Sequence, residues 1–125
     1  IGAPKNAALE ALVTALHEQN AEMGLRAIAD AVSTQSDMQL FTRLVLERLR
    51  AVMLVRNAPS NADALLVKLP ESAAEQVKQL AAEAKSPLNS HMLIKLLESA
   101  QLMRRSSIPH LPLEVFVVES CAKPE

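Results

Sequence analysis

The residues in this chain that are best suited to chemistry are three histidines and one cysteine. His17, His91 and His110 lie far apart, with no second histidine at i+4 and no HExxH motif. A zinc site would exist only if folding brought them together, and surface or partly buried histidines are the simpler interpretation. Cys121 could be a nucleophile only beside a positioned base, so we interpret it as a buried structural thiol. With no phosphate-binding glycine loop, GxSxG motif or dinucleotide fingerprint in the sequence, we expect no catalysis.

Arginines are the second group of interest, because they could bind an anionic partner. Four of them share one predicted helix and have only Glu47 among them: Arg43, Arg48, Arg50 and Arg56. A nucleic acid or an acidic protein would suit this cluster, but ion pairing within the domain or with a neighbouring subunit is the commoner role. The candidate residues for a subunit interface or a DNA-facing surface are Arg48, Arg50, Arg56, Arg104 and Arg105.

Composition limits the classes of function. The 125 residues carry 13 Lys and Arg against 14 Asp and Glu, so no overall field attracts nucleic acid or an anionic membrane. Only Phe41 and Phe116 are aromatic, which argues against base stacking. No apolar run approaches the roughly 20 residues of a membrane span, and no signal peptide is visible. The lone cysteine gives no sign of an oxidising compartment, and we expect a cytoplasmic protein.

The elements that position these residues are predicted to be helices. Two glycines, few β-branched residues and abundant Ala and Leu predict an all-α single domain, a compact bundle of about five or six helices. Apolar residues at i, i+3, i+4 and i+7 place the helices at 6–18, 21–33, 37–56, 73–85, 87–106 and 112–120. Capping patterns at Ser36, Ser72 and Ser86 mark the starts of the third, fourth and fifth helices. Residues 57–70 form a loop with one short helical turn.

Three of these helices have individual features. The helix at 37–56 is apolar over more than one face, which predicts a central position in the bundle. Gly24 inside the second helix costs about 1 kcal/mol relative to alanine, so we expect a close helix contact there. The valine-rich end of 112–120 would also suit a strand, but there is no second strand to pair with it. Pro112 and Glu114 in the first turn favour a helix instead.

The stretch between the last two helices is interpreted as a joint. Ser106 and Ser107 can bond backbone groups freed at the helix end. Pro109 and Pro112 then bend the chain and restart a helix. We therefore expect residues 113–118 to fold back onto the bundle, with Leu113, Phe116 and Val117 on the buried face.

Two segments resemble the third domain of the bacterial DNA polymerase III gamma/tau subunit: LERLRAVMLVR (46–56) and SPLNSHMLIKLLESAQLMRRSSIPHLPLEVFVVE (86–119). Eight residues fall on the pattern that closes that domain: Leu97, Leu102, Arg105, Ser107, Pro109, Leu111, Leu113 and Glu114. His110 departs from it, since the family often has arginine there, and so does the valine-rich ending. The stretch at 8–50 also resembles the early helices of the family, so the resemblance covers nearly the whole chain.

The resemblance implies a structural role, not an enzymatic one. Such domains form the oligomerisation collar of the clamp loader, where gamma/tau, delta and delta-prime subunits join into a pentameric ring that loads the sliding clamp in DNA replication. The ATPase and zinc-binding modules, with their ATP, Mg and Zn, would belong to two preceding domains. Because the chain starts at Ile1 without an initiator methionine, we interpret it as an excised domain that also lacks the C-terminal extensions of tau. The expected partners are other clamp-loader subunits or further copies of this chain, with no direct DNA contact and no membrane.

Two alternatives come from other functional classes. The first is a nucleic-acid-binding helical module that uses the arginine clusters. The second is a helical bundle that binds a small ligand in a pocket lined by methionines, although methionine usually just fills gaps in a core. The methionines in question are Met23, Met38, Met53, Met92 and Met103.

Overall fold

The structure, a computed structural model, describes residues 6–122. Within this range all regular elements are helical, which confirms the all-α prediction. The α-helices are α1 (Asn6–Glu18), α2 (Ala21–Ser33), α3 (Met38–Asn57), α4 (Ala62–Leu66), α5 (Glu71–Ala81), α6 (Ser90–Met103) and α7 (Leu111–Ser120). A 3₁₀ turn at Pro59–Asn61 precedes α4, in the segment predicted to hold a loop and one helical turn.

The core forms where the apolar stripes of the helices meet. Leu12, Val13 and Leu16 of α1 have no exposed surface, because α2, α3 and α5 all pack against this helix. The long helix α3 packs against α1, α2, α4, α5 and α6, and its Phe41 is completely buried. The predicted central position of this helix is therefore confirmed.

The last helix closes the bundle by packing on α6 and α2. Its buried residues are Leu113, Phe116 and Val117, as the sequence predicted. A Cβ added at Gly24 would lie 2.8 Å from Cγ1 of Val117, so Gly24 does mark a close contact between α2 and α7. In the preceding joint, the Ser106 hydroxyl donates a hydrogen bond to the carbonyl of Ile108.

Several predicted helix starts are wrong. In α3 and α6 another residue makes the cap, whereas α5 follows Pro70 and has no side-chain cap. Asp37, rather than Ser36, caps α3 by accepting hydrogen bonds from the amides of Gln39 and Leu40. Helix α6 begins at Ser90 and is capped by Asn89, beyond the predicted start at residue 87, for which Ser86 was the predicted cap. Helix α5 begins at Glu71 and ends at Ala81, earlier at both ends than the predicted 73–85.

No helix in the described range is long and apolar enough to cross a membrane.

Candidate interaction surface

Apolar side chains remain at the surface on α6, on α7 and in the joint between them. Each is between 42% and 57% exposed: Ile94, Leu97, Leu102, Ile108, Leu111, Val115 and Val118. The other large hydrophobic residue that is exposed in the described range is Val67, beyond the end of α4. Scattered exposed hydrophobics are normal on a protein surface, but six on two neighbouring helices and one in the joint between them indicate an interaction surface.

Helix α7 is apolar on two opposite sides. Leu113, Phe116 and Val117 face the core and are at most 3% exposed. Leu111, Val115 and Val118 follow each other at i, i+4 and i+7, which places them together on the opposite side. We call these three residues the α7 outer stripe. A helix that only covered its own bundle would carry polar residues on that side, as α5 does at Glu75, Lys78 and Gln79.

Two grooves run along the sides of α6. The groove between α6 and α7 is lined by Leu102, Leu111 and Val115, with Lys95 and Glu119 also on its walls. The groove between α3 and α6, the α3–α6 groove, has the apolar residues Leu40, Leu46 and Leu97 in its lining. Its charged lining residues are Arg43, Arg104 and Asp37.

Arg48, one of the candidate residues, lies inside the domain and is 8% exposed. Its Nη1 donates a hydrogen bond of 2.6 Å to Oε1 of Gln76. The amide of Gln76 in turn donates to the carbonyl of Glu10 at 3.0 Å and to the hydroxyl of Thr14 at 3.2 Å. Burial lowers the pKa of the Arg48 guanidinium from its ordinary value, and the Glu10 carboxylate acts in the opposite direction. This arginine ties α3 to α5 and, through Gln76, to α1.

Arg56 also makes contacts within the domain. Its guanidinium donates hydrogen bonds to three backbone carbonyls, those of Leu80 at 3.0 Å, Ala81 at 3.4 Å and Leu88 at 2.8 Å. The first two lie at the carboxyl end of α5, where carbonyls lack helical partners and the helix dipole favours a positive charge. Arg56 therefore fixes the end of α5 and the chain that leads to α6.

The other candidate arginines, Arg50, Arg104 and Arg105, are exposed. Arg104 lies at the wall of the α3–α6 groove. A role for these three at a subunit interface or on DNA stays a prediction. Arg43, which the sequence placed in the same cluster, pairs with Glu47 at 3.5 Å.

The structure brings together three polar side chains that the sequence did not connect. Nδ1 of His17 lies 2.8 Å from Oγ of Ser86, and Nε2 of His17 lies 2.8 Å from a carboxylate oxygen of Glu83. The order serine, histidine, glutamate resembles a hydrolase triad, but a nucleophile must be accessible. Ser86 is 8% exposed, and its hydroxyl oxygen accepts a hydrogen bond from the amide of Leu88. The cluster therefore fastens the α5–α6 connection to the end of α1.

The remaining chemical candidates are structural. Cys121 is 5% exposed, and burial raises the pKa of its thiol, which fits the predicted structural thiol. Within residues 6–122, no three His, Cys, Asp or Glu side chains gather where they could hold a metal ion.

Met38, Met92 and Met103 are buried core residues, and the sulfur of Met103 accepts a hydrogen bond from the Thr42 hydroxyl. These methionines fill gaps in the core.

Comparison with protein families gave one match. A model described as DNA polymerase III subunits gamma and tau domain III matches residues 1–124. Searches of the curated proteins and of the solved structures gave no match. The family match spans almost the whole chain and confirms the resemblance found in the sequence.

Proposed function

The chain belongs to the family of domain III of the DNA polymerase III gamma and tau subunits, and from this premise we propose that it is a structural domain that joins clamp-loader subunits to one another. Its partners are other subunits of the clamp loader: further gamma/tau copies, delta and delta-prime. The ring they form loads the sliding clamp during DNA replication in the cytoplasm. ATP hydrolysis, with its ATP and Mg²⁺, and zinc binding belong to other domains of the parent subunit in this proposal.

The α7 outer stripe is the observation that supports this proposal. Leu111, Val115 and Val118 are each about half exposed, although fully burying such a side chain contributes about 1.5–3 kcal/mol. A partner that covered all three would therefore gain part of that free energy at each residue. The centre of a subunit interface is generally apolar and closely packed, which the stripe on a rigid, well-packed helix can provide.

No comparable observation favours the nucleic-acid alternative. Among the four arginines of α3, Arg48 and Arg56 bind groups of the domain itself. Only Arg43 and Arg50 of these arginines are exposed, and Arg43 lies beside Glu47. A surface that follows phosphates needs several free cations along one side, and α3 does not present its arginines that way.

The proposal is tested by mixing the chain with clamp-loader subunits and measuring the molar mass of the mixture by light scattering. We expect wild type to form complexes, and we expect Val115→Glu to weaken them about tenfold or more, because the substitution places a charge in an apolar contact. Val67→Glu is the matched control, since the same change at an exposed valine outside the surface should leave association unchanged. Circular dichroism should show that both variants are folded.

Two results would contradict the proposal. One is a folded wild-type chain that associates neither with itself nor with any clamp-loader subunit. The other is equal association of Val115→Glu and wild type, which would remove the α7 outer stripe from the contact.

A further inference from the structure

This inference rests on the proposed function and specifies how two copies of the chain would meet. We propose that the α7 outer stripe of one copy docks in the α3–α6 groove of a second copy. The occupant of the groove is therefore a helix of the same protein, and the contact joins two different surfaces.

The first surface, the α7 outer stripe, is apolar with acidic flanks. By helical spacing, Glu114 and Glu119 lie on the two sides of the stripe formed by Leu111, Val115 and Val118. Glu119 is exposed and Glu114 is partly exposed. A partner that buries the stripe must therefore also face two carboxylates.

The second surface, the α3–α6 groove, is apolar with two arginines and one aspartate, Asp37, whose carboxylate accepts hydrogen bonds from two amides at the start of α3. Leu97 is 46% exposed in the groove, and Leu40 and Leu46 are partly buried beside it. Arg43 and Arg104 lie in the same lining. The side chain of Arg43 is 72% exposed in its pair with Glu47, and such surface pairs contribute little, so Arg43 is available to a new carboxylate.

Charge decides between the two ways in which copies could meet. A symmetric contact of α7 with α7 would place Glu114 and Glu119 of one copy near the same carboxylates of the other, and like charges across an interface are repelled. Docking in the α3–α6 groove places the carboxylates near Arg43 and Arg104 instead. Opposite charges that surround an apolar centre are the usual arrangement at an interface.

The geometry of the fold leaves both surfaces free on each copy. Leu97 lines the groove on the α3 side of α6, whereas Leu102 lines the groove on the α7 side. One copy can therefore dock its α7 outer stripe in the groove of one neighbour, while its own α3–α6 groove binds the α7 outer stripe of another neighbour. Contacts of this head-to-tail kind produce rings or open chains, whereas a symmetric contact stops at a dimer.

Charge reversal tests the docking directly by sedimentation velocity. The α7 variant carries Glu114→Lys and Glu119→Lys, and the groove variant carries Arg43→Glu and Arg104→Glu. We expect wild type to self-associate and each variant alone to associate roughly tenfold or more weakly, because like charges then meet. An equal mixture of the two variants should regain wild-type association, since each then finds an opposite charge on the other.

Arg26→Glu is the matched control for the groove variant, because Arg26 of α2, like Arg43, is an exposed arginine paired with a glutamate four residues away and lies outside the lining of the groove. It should associate like wild type, and melting curves should show that all variants are folded. A groove variant that associates like wild type, or a mixture that fails to recover, would overturn the docking and leave the proposed function standing. The same conclusion follows if wild type binds other clamp-loader subunits but not itself. Failure to bind any of them would overturn the proposed function as well.

Discussion

At Gly24, the backbone of α2 comes close to the side chain of a residue on α7. A Cβ at this position would lie 2.8 Å from Cγ1 of Val117 and 3.5 Å from atoms of Leu12 and Ala15. Real Cβ atoms do not approach that closely, so the Val117 side chain or one of the helices would have to shift. The helix-propensity cost of glycine is offset here by the packing of α7, the helix that carries the outer stripe.

We therefore predict that Gly24→Ala destabilises the chain. Alanine would gain about 1 kcal/mol of helix propensity, but overpacking against a short, stiff valine costs about 1–3 kcal/mol. The expected net loss is about 1 kcal/mol in the free energy of unfolding, measured by urea denaturation. Val117→Ala provides the control, because it removes the clashing methyl groups and should abolish the cost of Gly24→Ala. Equal or greater stability of Gly24→Ala on its own would disprove the close contact.

At the scale of the elements, polar side chains between helices hold the bundle in register. Arg48 and Gln76 connect α3 to α5 and α1, and Arg56 binds carbonyls around the end of α5. His17, Glu83 and Ser86 fasten the α5–α6 connection to α1. These contacts fix the position of the segment that connects α5 to α6. The two grooves run along the two sides of α6.

A comparison of two arginines on α3 tests this function of Arg48. Arg48→Ala leaves a cavity and a partly buried Gln76 without its strongest hydrogen bond, so we expect a loss of about 2–3 kcal/mol in the free energy of unfolding. Arg50→Ala removes the same side chain from an exposed position and should change that free energy by no more than about 0.5 kcal/mol. Both values come from urea denaturation. Similar stabilities for the two variants would contradict the interior function of Arg48.

Sequence periodicity predicted the helices well, including both ends of α1 and α2, but not the ends of α5 and α6. The apolar stripe of α1 and the buried face of α7 were predictable, because the spacing of apolar residues follows the helix repeat. The start of α6 was not, since Ser86 looks like a cap in sequence while its hydroxyl binds His17 across 69 positions of the chain. A cluster of arginines in the sequence likewise does not reveal which of them is buried. The burial of Arg48 is therefore visible only in the structure.

The candidate surface was only partly predictable for a related reason. The sequence places Leu111, Val115 and Val118 at i, i+4 and i+7, and this second stripe on α7 is visible without a structure. A helix that is apolar on two opposite sides, however, can be covered on both by its own domain or on one of them by another chain. Only the packing of α6, α7 and α2 shows that one side of α7 stays uncovered in the single copy.

At the scale of the whole molecule, the chain combines a closed core with one apolar outer surface. The core includes residues from all seven α-helices in the described range, whereas the exposed large hydrophobics, apart from Val67, lie on α6, α7 and the joint between them. A domain that only had to fold would not need that second surface. In the proposed function, the core keeps α7 rigid and the outer stripe makes the contact with another subunit.

The central claim is that the α7 outer stripe becomes buried when clamp-loader subunits assemble. Hydroxyl-radical footprinting of the wild-type chain, alone and in the assembled complex, measures this most directly, because it reports the solvent exposure of individual side chains. We predict that labelling of Leu111, Val115 and Val118 falls in the complex while labelling of Val67 stays the same. Unchanged labelling of all three stripe residues in a fully assembled complex would contradict the claim.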